Sequence, residues 1–474
     1  MTSSKYTTVF RSKSEQCYVY NALSNRLFRI DESTFIQLNR SAESNIPTTV
    51  AAEAESLFPD PMMFASTETE NRILEERRRK RDKINSDTSY LDLSICPTLH
   101  CNFRCNYCFE ADQHTTKKMD SDTIDQLMRF IDSCRDARSI GISWYGGEPL
   151  VGFGAICEIT DCLLQSDKEF LGAGLITNGF LLTREKIALL NSLKITSVQV
   201  TLDGPRGVHD ARRHLASKKP TFDRILANLD NLLSSDYSGS CNIRVNLDGD
   251  NLGSFLDLQQ ELMERYDGKK FSVYAGRVER LGGLGAACSS CSDTTDRDWV
   301  ELTKNQCASK NKCTSEQLYP TANLANICTA TMKNAFVIGP RGELYKCWEE
   351  VGRSDCIVGN ISTYKSDTEN EYISLYETAG DPYLDDECRN CRALPICGGG
   401  CANRRIRKIY RNENGIDYCS LYKDHLIEFL REVTEKEEET NICRQLLGLD
   451  RPPTPASAVE EIHVAETGQQ IVKF

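Results

Sequence analysis

Cysteine restricts this chain more than any other feature: 22 of its 474 residues are cysteine, and twelve of them crowd between residues 288 and 419. The opening stretch, MTSSKYTTVF, has no apolar core after its lysine and does not read as a secretory signal. That predicts a cytoplasmic protein, where disulfides are rare and many free thiols are a liability. Metal is then the natural occupant. Six histidines against 22 cysteines favour thiolate-bound metal, either iron–sulfur clusters or zinc held by four cysteines, over imidazole-dominated sites. A chain of this length holds roughly three domains and needs no disulfide staples to build a core. No apolar run is long enough to cross a bilayer, and a formal charge of −12 opposes a nucleic-acid surface. Neither a membrane nor nucleic acid is expected as a partner.

Residues 1–88 read as a small strand-rich module and a linking helix. Short alternating runs (CYVYNAL, RLFRID) predict strands, and DESTFIQLNR predicts an amphipathic helix capped by Asp31 or Ser33. Residues 66–87 predict a polar, solvated helix whose basic run, Arg77–Arg81, is an exposed face. From 89 to 280 short apolar runs alternate with helical periods. Strands are predicted at 90–96, 139–146, 174–179, 197–204, 242–248 and 271–276, with helices at 121–134, 154–164, 183–193, 221–233 and 254–266. Six strands with helical crossovers make a parallel α/β unit, in which the loops leaving the C-terminal strand ends gather on one face. Residues 281–430 lose this alternation and read as a loop-rich domain held by metal, with a hairpin turning at Pro340-Arg341-Gly342. In 431–474, beyond the rest of a helix near 420–436 and a short apolar segment, RPPTPASAVEE predicts an extended linker to a mobile tail.

Two constellations carry chemistry. Cys101, Cys105 and Cys108 follow the first strand of the α/β unit in the run CNFRCNYC. Three thiolates so placed can bind three irons of a cubane and leave the fourth open to a substrate or cofactor; a zinc knuckle is the plainer alternative. Trp144-Tyr145-Gly146-Gly147-Glu148-Pro149 follows the second strand. There two glycines let a backbone edge approach a ligand, and Glu148 with exposed carbonyls can accept from an amine. Thr177-Asn178-Gly179 follows the third strand and Thr201-Leu202-Asp203-Gly204-Pro205 the fourth, each readable also as a turn or a helix cap. The second constellation is Cys328, Gly342 and Cys347, then Cys388-x2-Cys391-x5-Cys397-x3-Cys401, and Cys419. It is the most specific pattern in the chain, with two structural zinc sites as its alternative. Cys288 and Cys291 form a separate CxxC, and Cys17, Cys96, Cys134, Cys157, Cys162 and Cys241 are expected in the core.

Together these motifs resemble the radical S-adenosylmethionine (radical SAM) enzymes that carry a C-terminal SPASM domain, over roughly residues 90–425. The resemblance implies a partial (β/α)6 TIM-like barrel, flanked by the small N-terminal module and a loop-rich iron–sulfur domain. It implies a [4Fe-4S] cluster on Cys101, Cys105 and Cys108 that binds S-adenosylmethionine, and two auxiliary [4Fe-4S] clusters. The inner auxiliary cluster would lie on Cys328, Cys347 and Cys401, with Cys313 as first choice for a fourth ligand, Cys307 as second, and an open iron as the alternative. The outer one would lie on Cys388, Cys391, Cys397 and Cys419. Tyr107 would pack over the cofactor, Gly146, Gly147 and Glu148 would bind its amine, and Thr177 and Asn178 its ribose and carboxylate.

The implied activity is reductive cleavage of S-adenosylmethionine to a 5′-deoxyadenosyl radical that modifies a ribosomally made peptide or protein, by thioether or C–C crosslinking or side-chain oxidation. A flavodoxin or ferredoxin would donate the electron, and a leader segment would dock on the N-terminal module by adding a strand. Asp203, Glu349 and Glu350 are the candidate catalytic carboxylates, with Asp210 a further substrate-facing group. In sulfatase-type maturases an aspartate follows the cysteine equivalent to Cys347; here Trp348 stands there, which counts against that activity. A small-molecule radical dehydrogenase is another enzyme reading. An iron–sulfur electron carrier or a zinc-stabilised scaffold is the reading outside radical chemistry.

Overall fold

The computed structural model describes residues 4–43, 61–113, 115–278, 294–308, 319–320, 328–365, 370–378, 380–446 and 459–461. Three short strands open it, β1 (Thr7–Arg11), β2 (Cys17–Asn21) and β3 (Arg26–Ile30), paired antiparallel as a meander. Their aromatic and β-branched residues, among them Val9, Tyr18, Val19 and Tyr20, suit a pleated surface. One face of this sheet packs on Leu38 of helix α1 (Glu32–Glu43) and on Met63 and Phe64. On the other, Tyr6, Phe10, Tyr18 and Tyr20 share a core with residues from the far end of the chain.

Helix α2 (Thr67–Asn85) starts where the Ser66 hydroxyl accepts from the Thr69 N–H. It is not the solvated bridge expected. Arg77 donates to the carbonyls of Leu23 and Pro395, while Arg78 and Arg81 reach Asp381 at 2.9 and 2.5 Å. Of the basic run only Arg79 and Lys80 stay exposed. A carboxylate and two carbonyls brought from distant segments turn a solvent-like pattern into a docking face.

Six parallel strands follow in chain order: β4 (Tyr90–Ile95), β5 (Ser139–Trp144), β6 (Glu169–Thr177), β7 (Ile195–Leu202), β8 (Ser240–Leu247) and β9 (Phe271–Arg277). Their crossovers hold α3 (Ser121–Ser133), α4 (Phe153–Leu164), α5 (Arg184–Ile187), α6 (Arg206–Arg212), α7 (Phe222–Leu233) and α8 (Phe255–Arg265). In α3 the apolar residues Ile124, Leu127, Phe130 and Ile131 recur on one face and are buried, each worth about 1.5–3 kcal/mol over exposure. Three elements depart from the sequence pattern, one of them α6, for which the sequence predicts no helix. Strand β6 begins at Glu169, not 174, because a bulge at Leu171 breaks its alternation. The helix expected over 183–193 is regular only through Ile187; turns lead on to Lys194, whose φ of 50° feeds β7.

Helix α9 (Asp296–Ala308) comes next. The predicted hairpin then forms as β10 (Ala335–Ile338) and β11 (Glu343–Tyr345), but it belongs to the large sheet. Strand β10 runs parallel to β4, Ala335 opposite Asp92 and Ile338 opposite Ile95, and β12 (Gly359–Asn360) completes nine strands. The sheet is therefore mixed, and the fold is α/β as expected.

The remainder is rich in helices and loops: α10 (Glu371–Thr378), α11 (Asp386–Asn390), α12 (Leu394–Cys397), α13 (Ala402–Ile409) and the long α14 (Tyr422–Leu446). Helix α14 lies along the N-terminal sheet, with Lys13 paired to Glu432 and Glu435 and the Arg431 guanidinium donating to the Arg11 carbonyl. Val459–Glu461 form β13, antiparallel to β3. No helix among the described residues is long and apolar enough to cross a membrane.

Candidate active site and cysteine clusters

The loops leaving β4 to β8 at their C-terminal ends meet at one mouth. After β4 the chain carries the three close cysteines, clamped on one side by the segment after α6. The Arg104 N–H donates to the His214 carbonyl, the Ala216 N–H donates to the Asn102 carbonyl, and Phe103 bridges Leu215. On the other side lie Gly146 and Gly147. A Cβ on Gly146 would sit 2.5 Å from the Thr98 carbonyl oxygen, and one on Gly147 would sit 2.5 Å from that of Leu99. The paired glycines thus serve a backbone-on-backbone approach that seats the cysteine loop.

Cys101, Cys105 and Cys108 are brought together here. Burial raises all three thiols, Cys108 to about 12. Glu148 and the other two thiols raise Cys101 further, and Glu110 and Cys105 raise Cys108. Thiols that suppress one another's ionisation call for a positive partner, which bound iron supplies. The Phe103 N–H already points at Cys101 Sγ from 3.4 Å. Among the described residues no group of three or more His, Cys, Asp or Glu could hold a single metal ion. A cubane makes a different demand, because each thiolate holds a separate iron. This donor set fits such a cluster.

Glu148 is buried and carries three donors: Oε1 accepts from Thr177 Oγ1 (2.7 Å) and the Leu150 N–H (3.0 Å), and Oε2 from the Asn178 N–H (2.8 Å). Burial raises its pKa, and these donors oppose the rise. Its side chain ties the end of β5 to the end of β6. Asn178 Nδ2 donates to Asn102 Oδ1 (2.8 Å), joining the same loop to the cysteines. Tyr107 anchors the loop from below, donating to Asp203 Oδ1 (2.9 Å) and accepting from Arg213 (2.6 Å) and Asn246 (3.1 Å). Asp203 also takes Arg212, which pairs with Asp248. Arg212 NH2 and Arg213 Nε are buried without an acceptor, which suits a polar group bound at the mouth. Asp210 does not join it: its carboxylate caps α7 through the N–H groups of Thr221 and Phe222.

The second constellation divides in two. Cys328 lies close enough to Cys347 and Cys401 to raise both thiols, after burial and Glu349 have raised them. Cys388, Cys391, Cys397 and Cys419 line one cavity. The run Gly398–Gly400, with φ of 65°, 94° and 72°, reverses the chain between Cys397 and Cys401 and sends them to different sites. A Cβ on Gly400 would strike the Tyr418 carbonyl, so Cys419 is held close by the same turn. Arg405 is fully buried with NH2 3.0 Å from Cys388 Sγ, and Lys423 lies beside Cys419. Four thiols with cationic support fit a metal cluster. Cys313, Cys288 and Cys291 lie outside the described residues, as does the side chain of Cys307.

Glu350 is a structural carboxylate, receiving Tyr372, Tyr376 and Asn403 within 2.7 Å. Glu349 stands beside Cys347, Cys401 and Tyr145, between the two cysteine regions. The Trp348 ring packs edge-on against Tyr145 at 5.2 Å, joining the auxiliary region to the mouth. Of the cysteines expected in the core, Cys17, Cys96 and Cys241 are buried, whereas Cys134, Cys157 and Cys162 are only half-buried. Sequence reasoning missed Asn246, Asp248 and Arg405. The first two end a strand at the same height as Asp203, a positional signal; Arg405 carries none.

Residues 95–262 match the family model described as the Radical SAM superfamily. A GTP 3′,8-cyclase of Clostridium perfringens (strain 13 / Type A) is 30% identical over 209 residues, covering 40% of this chain and 60% of that protein. The chain thus spans about 60% of the length of the first curated relatives it matches. Mycofactocin maturase MftC of Mycobacterium tuberculosis (strain ATCC 25618 / H37Rv) is 25% identical over 333 residues, 66% of this chain and 79% of that one. A structure of anSMEcpe with bound AdoMet and Cp18Cys peptide shares the fold, with a TM-score of 0.55 and 18% identity over 74% of this chain and 98% of that one. The radical SAM family implies one [4Fe-4S] cluster and S-adenosylmethionine.

Proposed function

We infer from the match of residues 95–262 to the Radical SAM superfamily model that the protein is an enzyme that modifies a peptide or protein by radical chemistry. The observation that carries the reading is the seating of Cys101, Cys105 and Cys108 at the mouth of the parallel sheet, beside loops whose polar groups converge there. A cluster bound by those thiolates would supply the electron that cleaves S-adenosylmethionine to a 5′-deoxyadenosyl radical. The protein's own part is placement. Glu148, Asn178 and Asn102 hold the cysteine loop against β5 and β6, while Tyr107, Asp203, Arg212 and Arg213 hold it against β7 and β8. Backbone at Gly146 and Gly147, with the remaining acceptor position of Glu148 Oε2, would meet the cofactor amine.

Two auxiliary clusters fit the remaining cysteines, the inner on Cys328, Cys347 and Cys401 and the outer on Cys388, Cys391, Cys397 and Cys419. The Tyr145–Trp348 contact supports a position for the inner set next to the mouth, where it would take an electron from a substrate radical. A peptide substrate suits the strand-rich N-terminal module and the maturase relative. Trp348 in place of an acid argues against sulfatase-type maturation. A soluble electron donor and a cytoplasmic setting complete the proposal.

The test is anaerobic. Reconstituted protein with reductant and S-adenosylmethionine should release 5′-deoxyadenosine, and Cys105→Ala should abolish the release while the iron of the other sites remains. Full loading of every cysteine site without any 5′-deoxyadenosine would make the protein an electron carrier instead.

A further inference from the structure

The two C-terminal cysteine groups differ in their electrostatic surroundings. Cys347 and Cys401 face the Glu349 carboxylate, which raises both thiols beyond what burial does, with Arg404 opposing it at Cys401. Cys388 faces a cation: burial raises its thiol, and the Arg405 hydrogen bond and charge oppose the rise. Arg405 Nη2 donates to Cys388 Sγ at 3.0 Å and to the Gly399 carbonyl at 2.8 Å, while Nη1 donates to Asp385 Oδ2 at 2.7 Å. The other Asp385 oxygen accepts from the Cys388 N–H at 2.8 Å, and the guanidinium lies 4.2 Å from the centre of the Tyr418 ring. One side chain therefore ties the Cys388 segment to the glycine turn after Cys397 and to the residue before Cys419.

Packing alone gives no reason for this arrangement. Arg405 is fully buried beside the Asp385 carboxylate, and its Nε has no acceptor. A well-packed apolar side chain would serve a core at least as well. A guanidinium on a sulfur is useful where that sulfur carries charge, as a thiolate ligating iron does. N–H donation withdraws electron density from a ligating sulfur and so favours the reduced, more negative state of its cluster. We propose that Arg405 is a positioning residue of the outer site, fixing the Cys388 sulfur and raising the reduction potential of the cluster held by Cys388, Cys391, Cys397 and Cys419. The couple concerned takes up one electron and makes or breaks no bond. This rests on the outer cluster of the reading above and on no step of the radical chemistry.

The test is a redox titration followed by electron paramagnetic resonance, with dithionite as reductant. It uses the full chain carrying Cys105→Ala and Cys347→Ala, so that the outer site is read alone. At equal iron content, Arg405→Met should move the oxidised-to-reduced ratio at a fixed potential at least tenfold towards the oxidised form, about 59 mV for one electron. Should Arg405→Met fail to hold iron, arginine labelled with ¹⁵N reads the contact in the parent chain: pulsed resonance on the reduced cluster should show a ¹⁵N coupling that Arg405→Lys removes. An unshifted potential with iron in place, a reduced cluster without that coupling, or a coupling that persists in Arg405→Lys would overturn the role of Arg405 and leave the cluster standing. A parent chain whose outer site takes no iron would instead overturn the cluster reading, and this proposal with it.

Discussion

Single atoms decide whether the cysteine loop can form. Gly147 has no room for a side chain, because a Cβ would lie 2.5 Å from the Leu99 carbonyl oxygen and under 3 Å from the His100 carbonyl carbon. These are backbone atoms that cannot swing aside, so Gly147→Ala must push the loop that leads into Cys101. The expected outcome is loss of the iron bound at Cys101, Cys105 and Cys108 and of 5′-deoxyadenosine release, with the remaining iron kept; metal analysis and absorption spectra read the two separately. Glu148 shows the same economy of space. Its three donors come from Leu150, Thr177 and Asn178, so the carboxylate expected to meet a ligand also joins strand ends. Removing one partner of such a buried group costs about 1–3 kcal/mol.

Helix α2 behaves as a strap between the N-terminal sheet and the C-terminal part. Arg81 and Asp381 are both buried, and Arg81 NH1 approaches Asp381 Oδ1 at 2.5 Å. Burial raises the Asp381 pKa, but the Arg81 hydrogen bond and charge outweigh it, and the carboxyl ends below its ordinary value of 3.8. Because the folded value is depressed, the stabilisation is fully present above pH 3.8 and is lost as pH falls through the folded value. Arg81→Ala leaves Asp381 with Arg78 and the Tyr383 N–H and should destabilise by about 3 kcal/mol at pH 7. Denaturant unfolding should show that deficit shrinking below pH 3.8; a deficit independent of pH would mean that packing, not the ion pair, holds α2.

Across the molecule, the N-terminal sheet and the outer cysteine site are one packed body. Tyr6, Phe10, Tyr18 and Tyr20 lie in a core with Leu394 and Ile396, against which Cys388, Cys391 and Cys397 pack, and the Tyr6 hydroxyl donates to the Arg389 carbonyl. Metal at the outer site should therefore stabilise a sheet almost four hundred residues away in sequence. Cys391→Ala is expected to lower iron content and to speed hydrogen exchange in β1 to β3, while exchange in β5 to β7 stays unchanged. Unchanged exchange throughout would separate the two bodies.

Much of this was legible in the chain because local rules suffice for it. Alternation located β4 to β9, the 3.6-residue period located α3, α4, α7 and α8, and cysteine spacing separated the loop at 101–108 from the C-terminal pattern. Other features arise only when distant segments meet. Arg77 to Arg81 look solvated until Asp381 and Pro395 face them, the hairpin at 335–345 looks separate until β10 finds β4, and Val459–Glu461 look loose until β3 receives them. The reason is physical: periodicity reports which side of an element is apolar, whereas the partner of a charge or of a sheet edge depends on what the completed fold brings beside it.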